Sequence, residues 1–345
     1  MVERYRSVFH PETQKLLEQD AKKKAIEKLA GTRETIVTIR TVGALVKEAI
    51  EKGNASRVQQ DIARVLIGEH AVPLADKSQF PHVMRELGYN APDSMVITTD
   101  MPTTKRITTV HTYYGKKQVD HVFCKPLNGA RQRDLNHFPI NDPQLTTYVK
   151  SVNEDVLIQE YKPHEKTIRY IRYRDNKWTV YVACFAYAGD EVEEEKKYRI
   201  PIIGKRKHAT SGESIDEFFT SVAGTYAIPV ENDAGQLDNL NQFMGGVIHN
   251  LEDKLGGSLP FFSCDIGITD MHALAGEYDE QTMRDNAIFF ETQDIPNPWG
   301  VQIIGDRTNL KSYINMWKLF SKEHGSQMAT RARALRQRKK TTTLQ

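Results

Sequence analysis

The sequence predicts an α+β protein built of two α+β lobes, preceded by a short helix-rich N-terminal segment. Alternating apolar runs are joined by short turns, as in β-hairpins, and amphipathic helical runs lie between the groups of hairpins. The regular strand–helix alternation of a parallel sheet is missing from this pattern. With 345 residues, the chain is long for a single core and suits two or three packed lobes.

Composition limits the classes of function. Lys and Arg number 47 and Asp and Glu 45, so the net charge of +2 excludes a strongly basic field over the whole chain. No apolar run approaches the roughly 20 residues of a membrane helix, and the first residues lack a secretory signal. Cys124, Cys184 and Cys264 are far apart in apolar runs and read as buried thiols. These features predict a cytoplasmic protein without a membrane partner.

The N-terminal part of the chain alternates helices and short strands. Residues 1–75 are expected to form a helical segment, and residues 76–104 a linking helix and strand. The pattern predicts helices over 11–30, 42–53, 55–70 and 80–88 and strands over 35–41 and 94–100.

From residue 105 onward the pattern becomes richer in β-structure. We expect a small lobe over 105–161 and a large lobe over 162–325. The predicted strands are 106–114, 118–127, 155–161, 166–174, 177–190, 198–204, 260–270 and 286–296. The predicted helices are 214–224, 236–257 and 309–325.

The last residues, 326–345, form a basic tail. Between 331 and 340 it carries six cations and no acid. A solvated helix end and a contact with nucleic acid or another anionic partner are both consistent with this composition.

A lysine and a loop suited to phosphate follow the second strand of the small lobe. Lys125 stands near the end of an apolar strand, where its ammonium can be directed at a phosphate. The next residues contain Gly129, Arg131 and Arg133 and many backbone N–H groups, which can fold over phosphates. Alone, this segment also fits an ordinary hairpin loop, because it matches no established phosphate-loop pattern.

The strand end at Gln159, Glu160 and Tyr161 stands between the two predicted lobes. Backbone groups there can meet the edge of an adenine, and Glu160 or Glu165 can accept from a ribose or an exocyclic amine. A plain surface strand end explains the same residues. His121 and His164 have no paired metal spacing and are read as structural or surface residues.

Three oxygen-bearing side chains stand on two buried strands near the end of the large lobe. Asp265 lies on one strand, and Glu291 and Gln293 lie two residues apart on the next, which places them on the same face of a regular strand. Such a cluster suits Mg²⁺, with ATP phosphates supplying further ligands. A structural ion pair between Glu291 and a lysine is the alternative.

The order of these features resembles the ATP-grasp superfamily. The segments that carry the resemblance are PLADKSQFPHVMRELG, VFCKPLNGARQRD, VLIQEYKPHEKTIRYIRY, and FFSCDIGITD followed by FFETQDIPNP, between residues 76 and 298. The resemblance implies an ATP-grasp fold whose two lobes clasp Mg-ATP. The second phosphate-loop glycine of the family is replaced by Gln132, and its usual last asparagine by Gln293.

Residue roles follow from the resemblance position by position. It implies phosphate contacts at Lys77, Lys125, Gly129 and Arg131, and adenine or ribose contacts at Gln159, Glu160, Tyr161 and Glu165, the last of which shares its assignment with Thr167. It implies a phosphate or substrate role for Arg169, and Mg²⁺ ligation by Asp265, Glu291 and Gln293.

The implied activity is that of an ATP-dependent carboxylate–amine ligase. A small-molecule or peptide carboxylate would be activated as an acyl phosphate and attacked by an amine, with Lys125 and Arg169 as catalytic residues. Three alternatives stay open at this point. One is an ATP-grasp kinase with a hydroxyl or phosphate acceptor. Another is a catalytically degenerate protein with a structural or nucleic-acid-associated role, viral or otherwise, suggested by Gln132, Gln293 and the basic tail. The third is an α+β binding module that takes no nucleotide.

Overall fold

The computed structural model describes residues 60, 63–64, 67–127, 136–174, 180–188, 198–199, 226–229, 235–292, 318 and 321–322. Most of the N-terminal segment 1–75, the predicted helix at 214–224, most of the predicted helix at 309–325 and the basic tail 326–345 lie outside these residues. The described helices are α1 (Val72–Ala75), α2 (Phe80–Glu86), α3 (Thr103–Gly115), α4 (Pro143–Ser151), α5 (Gln236–Leu255) and α6 (Glu280–Asn286).

The described strands form two antiparallel sheets. They are β1 (Ser94–Ile97), β2 (His121–Pro126), β3 (Asn136–Pro139), β4 (Val156–Glu160), β5 (Lys166–Arg174), β6 (Val180–Ala188), β7 (Tyr198–Arg199), β8 (Tyr226–Pro229), β9 (Phe261–Ile268) and β10 (Ala287–Thr292). The small sheet has the order β1-β4-β2-β3 and the large sheet β10-β9-β5-β6-β8-β7. The predicted α+β class is confirmed. None of the described helices is long and apolar enough to cross a membrane.

The small sheet has one face in a core and an opposite face that carries Lys125. In β2 the burial alternates, so Val122 and Cys124 pack into the core with α3 and α4. His121, Phe123 and Lys125 lie on the opposite face because successive strand side chains alternate. The first strand of this sheet, β1, pairs with β4 and begins upstream of residue 105.

Helix α3 corrects one element of the sequence analysis. Residues 106–114 were predicted to form a strand because they are rich in Ile, Thr, Val and Tyr, but they lie in a helix. The buried residues of the helix are Arg106, Val110 and Tyr114, four residues apart, so the apolar period is helical. The Tyr114 hydroxyl donates to Ile158 O at 2.7 Å, which fixes the helix against β4. Tertiary packing therefore overrides the local β-propensity.

A buried arginine holds the ends of the small lobe together. Arg106 is 6% exposed and donates to Met101 O at 2.8 Å, Val152 O at 3.0 Å and Thr99 O at 2.7 Å. One guanidinium thus satisfies carbonyls from both the entry to α3 and the exit of α4.

Replacing this arginine should destabilise the small lobe. Arg106→Met leaves three carbonyl groups without their donor, so we expect a loss of about 2–4 kcal/mol in the free energy of unfolding. Urea unfolding followed by circular dichroism measures this. The neighbouring exposed Lys105→Met is the control and should change stability by no more than about 0.5 kcal/mol. Equal stability of the two variants would contradict the role given to Arg106.

The large sheet packs one face on α5. The buried residues of this helix recur at intervals of three or four and so lie on one side, namely Leu240, Phe243, Met244, Val247, Ile248 and Leu251. It meets Cys264 and Ile266 of β9 and Ile168 and Tyr170 of β5. The intervening residues, Arg169 on β5 and Asp265 on β9, therefore lie on the other face of the sheet.

A bulge in β10 decides where Glu291 lies. Phe289 is fully buried in the large core, so in a regular strand Glu291, two residues later, would face the same core. The β10–β9 register shifts between these two residues, and Glu291 pairs with Asp265 whereas Phe289 pairs with Ile266. The extra residue, Phe290, turns Glu291 to the face that carries Asp265.

Candidate active site

Three charged side chains form a row across neighbouring strands of the large sheet. Asp265 on β9 is directly opposite Glu291 on β10 and directly opposite Arg169 on β5. Residues opposed in this way in antiparallel strands have Cα atoms about 4.5–5.5 Å apart. The row lies on the face that does not pack on α5, which leaves it turned toward the small lobe.

Arg169 binds both oxygens of Asp265. Its Nε donates to Oδ1 at 2.7 Å and a terminal nitrogen donates to Oδ2 at 2.6 Å. Both side chains are largely buried, with exposed fractions of 13% and 7%. Burial raises the pKa of the Asp265 carboxyl, and the guanidinium of Arg169 acts against this. The paired geometry fixes the direction of both side chains.

Lys125 of the small sheet reaches Glu291 of the large sheet. The ammonium Nζ lies 3.4 Å from Oε2 of Glu291, and both side chains are about one-fifth exposed. Burial alone raises the pKa of Glu291, but Lys125, followed by Lys77 and Arg169, outweighs it and lowers the pKa to about 2. Glu291 is therefore ionised at neutral pH and joins the two sheets.

Lys77, between α1 and α2, is the third cation of this cluster. Burial lowers the pKa of its ammonium, Glu291 raises it, and Lys125 lowers it further. The three groups are thus within electrostatic range of one another. The structure brings together five predicted site residues, namely Lys77, Lys125, Arg169, Asp265 and Glu291, which we call the charged cluster.

The carboxylates of the charged cluster fit a Mg²⁺ ion. Asp265 and Glu291 offer hard oxygen ligands from adjacent strands, and Mg²⁺ is commonly held by one or two carboxylates together with substrate phosphates and water. Within the described residues, no group of three or more His, Cys, Asp or Glu side chains could hold a metal ion. The predicted third ligand, Gln293, lies outside the described residues.

The cleft face of the small sheet continues from Lys125 into an aromatic wall. Phe123 lies two residues before Lys125, and its ring centroid is 5.3 Å from that of Tyr161. His121 stacks on His137 with centroids 4.9 Å apart. Gln159 pairs in register with Phe123 and shares this face. The wall is rich in aromatic rings and lies next to the Lys125 ammonium.

Two polar atoms of this wall are buried. Among the described residues, Gln159 Nε2 and His121 Nδ1 are shielded from solvent and have no hydrogen-bond partner. A buried donor or acceptor without a partner is costly, and in native proteins its partner is often a ligand or water. Sequence reasoning assigned no function to His121 or Phe123. Their shared strand face with Lys125 is the sequence signal that identifies them.

The carboxylates at the lobe junction have partners in the fold. Oε2 of Glu160 accepts from Asp93 N at 3.0 Å, and Oε1 lies 3.2 Å from Lys162 Nζ. Oε2 of Glu165 accepts from Met271 N at 2.9 Å. These contacts hold the chain where it passes from one sheet to the other. The predicted loop residues Gly129 and Arg131 lie outside the described part of the chain.

Phe290 and His164 cover Gly267 beside the charged cluster. A Cβ atom at Gly267 would lie 2.6 Å from the Phe290 ring and 3.0 Å from the His164 ring. His164 Nδ1 donates to Lys162 O at 2.9 Å, and its Nε2 lies 2.8 Å from Thr167 Oγ1. Burial lowers the pKa of His164, which favours the neutral ring. The two rings pack the bulge of β10 against the lobe junction.

An alanine at Gly267 should disturb this packing. Gly267→Ala forces the Phe290 ring to move, so we expect a loss of about 1–3 kcal/mol in the free energy of unfolding. Urea unfolding measures this loss. Gly245→Ala on α5 is the control, since its Cβ meets nothing within 4 Å and should stabilise the helix by about 0.5–1 kcal/mol. A Gly267→Ala variant as stable as the wild type would contradict the packing described.

Comparison with solved structures gives matches to ligases. The chain aligns with D-alanine–D-alanine ligase from Bacillus anthracis at 13% identity and a TM-score of 0.46, covering 80% of this chain and 79% of that one. It aligns with the D-cycloserine synthetase DcsG at 10% identity and a TM-score of 0.47, covering 79% and 80%. It aligns with the ATP-grasp ligase PsnB, complexed with a precursor variant, Mg and ADP, at 13% identity and a TM-score of 0.39, covering 73% and 61%.

Sequence comparisons add nothing to this. No protein-family model matches the chain, and no curated protein matches it. All three TM-scores lie below 0.5, so these likenesses carry no information on what the chain does. PsnB is an ATP-grasp ligase, and the motifs of this chain resemble the same superfamily.

Proposed function

We propose that the chain is a Mg-ATP-dependent ligase that activates a carboxylate as an acyl phosphate for attack by an amine. The observation that carries this proposal is the charged cluster. Two carboxylates on adjacent strands of one sheet face a lysine from the other sheet. Such an arrangement suits a triphosphate with its divalent ion, held between two lobes.

The charges of the cluster favour a phosphate ligand. Lys125 and Arg169 each pair with one of the two carboxylates, and Lys77 adds a third cationic side chain within electrostatic range of Glu291. Lysine ammonium groups contact phosphates as point charges, and an arginine fork can bind two phosphate oxygens at once. In this proposal Lys77 and Lys125 hold the phosphates nearer the nucleoside, and Arg169 contacts the transferring phosphoryl.

The aromatic wall is a suitable place for the base. Two residues along β2 span about 7 Å, so a base against Phe123 would stand next to phosphates at Lys125. Gln159 Nε2 can donate to a ring nitrogen of the base, and Tyr161 can pack against its face. The backbone around Glu160 and the side chain of Glu165 would meet the adenine edge and the ribose.

Cys124 and Cys264 are unsuited to covalent catalysis. Cys124 and Cys264 are fully buried in the two cores, on the faces away from the cleft, and burial raises the pKa of the Cys124 thiol. Direct transfer between substrates fits this arrangement better than a protein nucleophile.

The reaction then has two steps. A carboxylate oxygen of the substrate attacks the γ-phosphorus of ATP, the bond to the β-phosphate oxygen breaks, and ADP leaves. An amine nitrogen attacks the carbonyl carbon of the acyl phosphate, phosphate leaves, and the nitrogen loses a proton. Asp265 and Glu291 would hold Mg²⁺, which would neutralise charge on the phosphoryl oxygens. Lys125 and Arg169 orient the phosphates, and the facing sheets exclude water.

Product analysis separates this proposal from its alternatives. Purified protein with Mg-ATP is screened for ADP release against amino acids, short peptides and polyamines, and the products are identified by mass spectrometry. We expect ADP release that requires both an acid and an amine, together with a new amide. A stable phosphorylated product without an amine would identify a kinase. ADP release under no condition would support a degenerate, structural protein.

Nucleotide binding has its own test. Binding to the folded state alone stabilises it, by about 2.7 kcal/mol at a ligand concentration 100 times Kd. We therefore expect Mg-ATP to raise the melting temperature of the wild type, and the shift to be about half as large or smaller in Lys125→Ala and Glu291→Ala. Unchanged melting of the wild type at millimolar Mg-ATP would contradict the proposed function.

A further inference from the structure

The pairing of Arg169 with Asp265 has consequences for metal binding. A carboxylate that ligates Mg²⁺ must turn at least one oxygen lone pair to the ion. Arg169 donates to both oxygens of Asp265, at 2.7 Å and 2.6 Å, in a largely buried place. The guanidinium thus occupies one lone pair of each oxygen and places a positive charge beside the carboxylate, and it also keeps Asp265 pointing at the face shared with Glu291.

We propose that Arg169 is a positioning residue that keeps Asp265 closed to divalent cations until a nucleotide arrives, and then transfers its guanidinium to the phosphates. This inference rests on the proposed function. It makes metal and nucleotide binding mutually dependent: the ion binds tightly only as its nucleotide complex, and each binding event favours the other.

Electrostatics explains why Arg169 would leave Asp265 for the nucleotide complex and not for the ion alone. A divalent ion alone would bring two positive charges to carboxylates that are already paired with Lys125 and Arg169, at short range and in a partly buried setting. A triphosphate brings several negative charges with the ion, which reverses this repulsion. The phosphate oxygens also offer the guanidinium the same two-point contact that it makes with Asp265.

Lys125, from the small sheet, takes part in the same exchange at Glu291, which lies on the strand next to that of Asp265. Its ammonium lies 3.4 Å from Glu291 Oε2, a longer and single contact. Arg169 therefore competes more strongly with a metal ion for Asp265 than Lys125 does for Glu291, because a paired, charge-assisted contact is harder to displace than a single one. We expect the effect of substituting Arg169 on binding of the free ion to exceed that of substituting Lys125.

The proposal is tested by measuring two affinities of the same variant, one for a free divalent ion and one for the metal–nucleotide complex. Mn²⁺ binding without nucleotide is followed by the loss of the free Mn²⁺ signal in electron paramagnetic resonance. Binding of Mg²⁺ with a non-hydrolysable ATP analogue is measured by calorimetric titration. For Arg169→Gln we expect free Mn²⁺ to bind at least about 10-fold more tightly and the nucleotide complex at least about 10-fold more weakly. A merely structural role would weaken both.

Controls separate the exchange from misfolding and from the proposed function. Arg172→Gln makes the same change three residues along β5, on the opposite face, and should leave both affinities unchanged. Arg169→Lys keeps the charge without the fork, and should tighten Mn²⁺ binding while largely retaining nucleotide binding; it carries the test should Arg169→Gln fold poorly.

The outcomes distinguish two failures. Unchanged or weaker Mn²⁺ binding in a folded Arg169 variant, beside normal nucleotide binding by the wild type, would overturn the exchange alone. A wild type that binds no nucleotide complex would overturn the proposed function and the exchange with it.

Discussion

Glu291→Gln is expected to lower the rate of Mg-dependent ADP formation by roughly 100- to 1000-fold. The substitution keeps the size of the side chain but removes the charge of one of two carboxylates that face the small lobe. It also leaves Lys125 without its partner at 3.4 Å. Steady-state ADP release at saturating Mg-ATP measures the loss, and a higher Mg²⁺ requirement should accompany it.

A matched glutamate checks that the effect is local. Glu280→Gln makes the same change on α6, where the side chain is exposed and pairs with Arg284 at 2.8 Å. Such a surface pair contributes little, so ADP formation should be unchanged. Equal activity of the Glu291 and Glu280 variants would remove Glu291 from the proposed metal site.

Lys125→Met should weaken nucleotide binding by about 10- to 100-fold, since it removes a charge-assisted contact to phosphate. It should also lower the stability of the free protein by about 1–2 kcal/mol, because Glu291 loses its nearest cation and keeps Lys77 and Arg169. Calorimetric titration and urea unfolding measure the two effects. Lys117→Met is the control. This lysine lies in the same lobe and pairs with Asp93 at 2.8 Å, at a more exposed site.

The difference in stability between the wild type and Lys125→Met depends on pH. The pKa of Glu291 is lowered from 4.5 to about 2, so the stability that its charge contributes is complete above pH 4.5 and is lost as the pH falls toward 2. The gap between wild type and Lys125→Met should therefore be widest at neutral pH and narrow in acid. A gap that widens in acid would contradict the assignment of Lys125 as the main partner of Glu291.

Part of the fold and site follows from the sequence alone. Period-two patterns identify β2, β4, β5 and β9, and a three-to-four spacing identifies α5, because these elements are long and pack through one face. Helix α3 is misread, since its β-branched and aromatic residues mask a helical period. Strand β3 and helices α4 and α6 carry short patterns that periodicity does not identify.

The detailed geometry of the site depends on contacts that no local pattern contains. Arg169 and Asp265 are separated by 96 residues, and Lys125 and Glu291 by 166. Glu291 faces the cleft only because a bulge at Phe290 breaks the alternation that would bury it. Types of residue at strand ends can be read from the sequence. The pairing of strands that brings them together is a property of the whole fold.

The most direct test of the charged cluster as a Mg-ATP site is an experimental structure with Mg²⁺ and a non-hydrolysable ATP analogue. We expect carboxylate oxygens of Asp265 and Glu291 at about 2.0–2.1 Å from the ion, with Lys125 and Arg169 on the phosphates. An analogue bound away from the cleft, or an ion that touches neither carboxylate, would contradict the account.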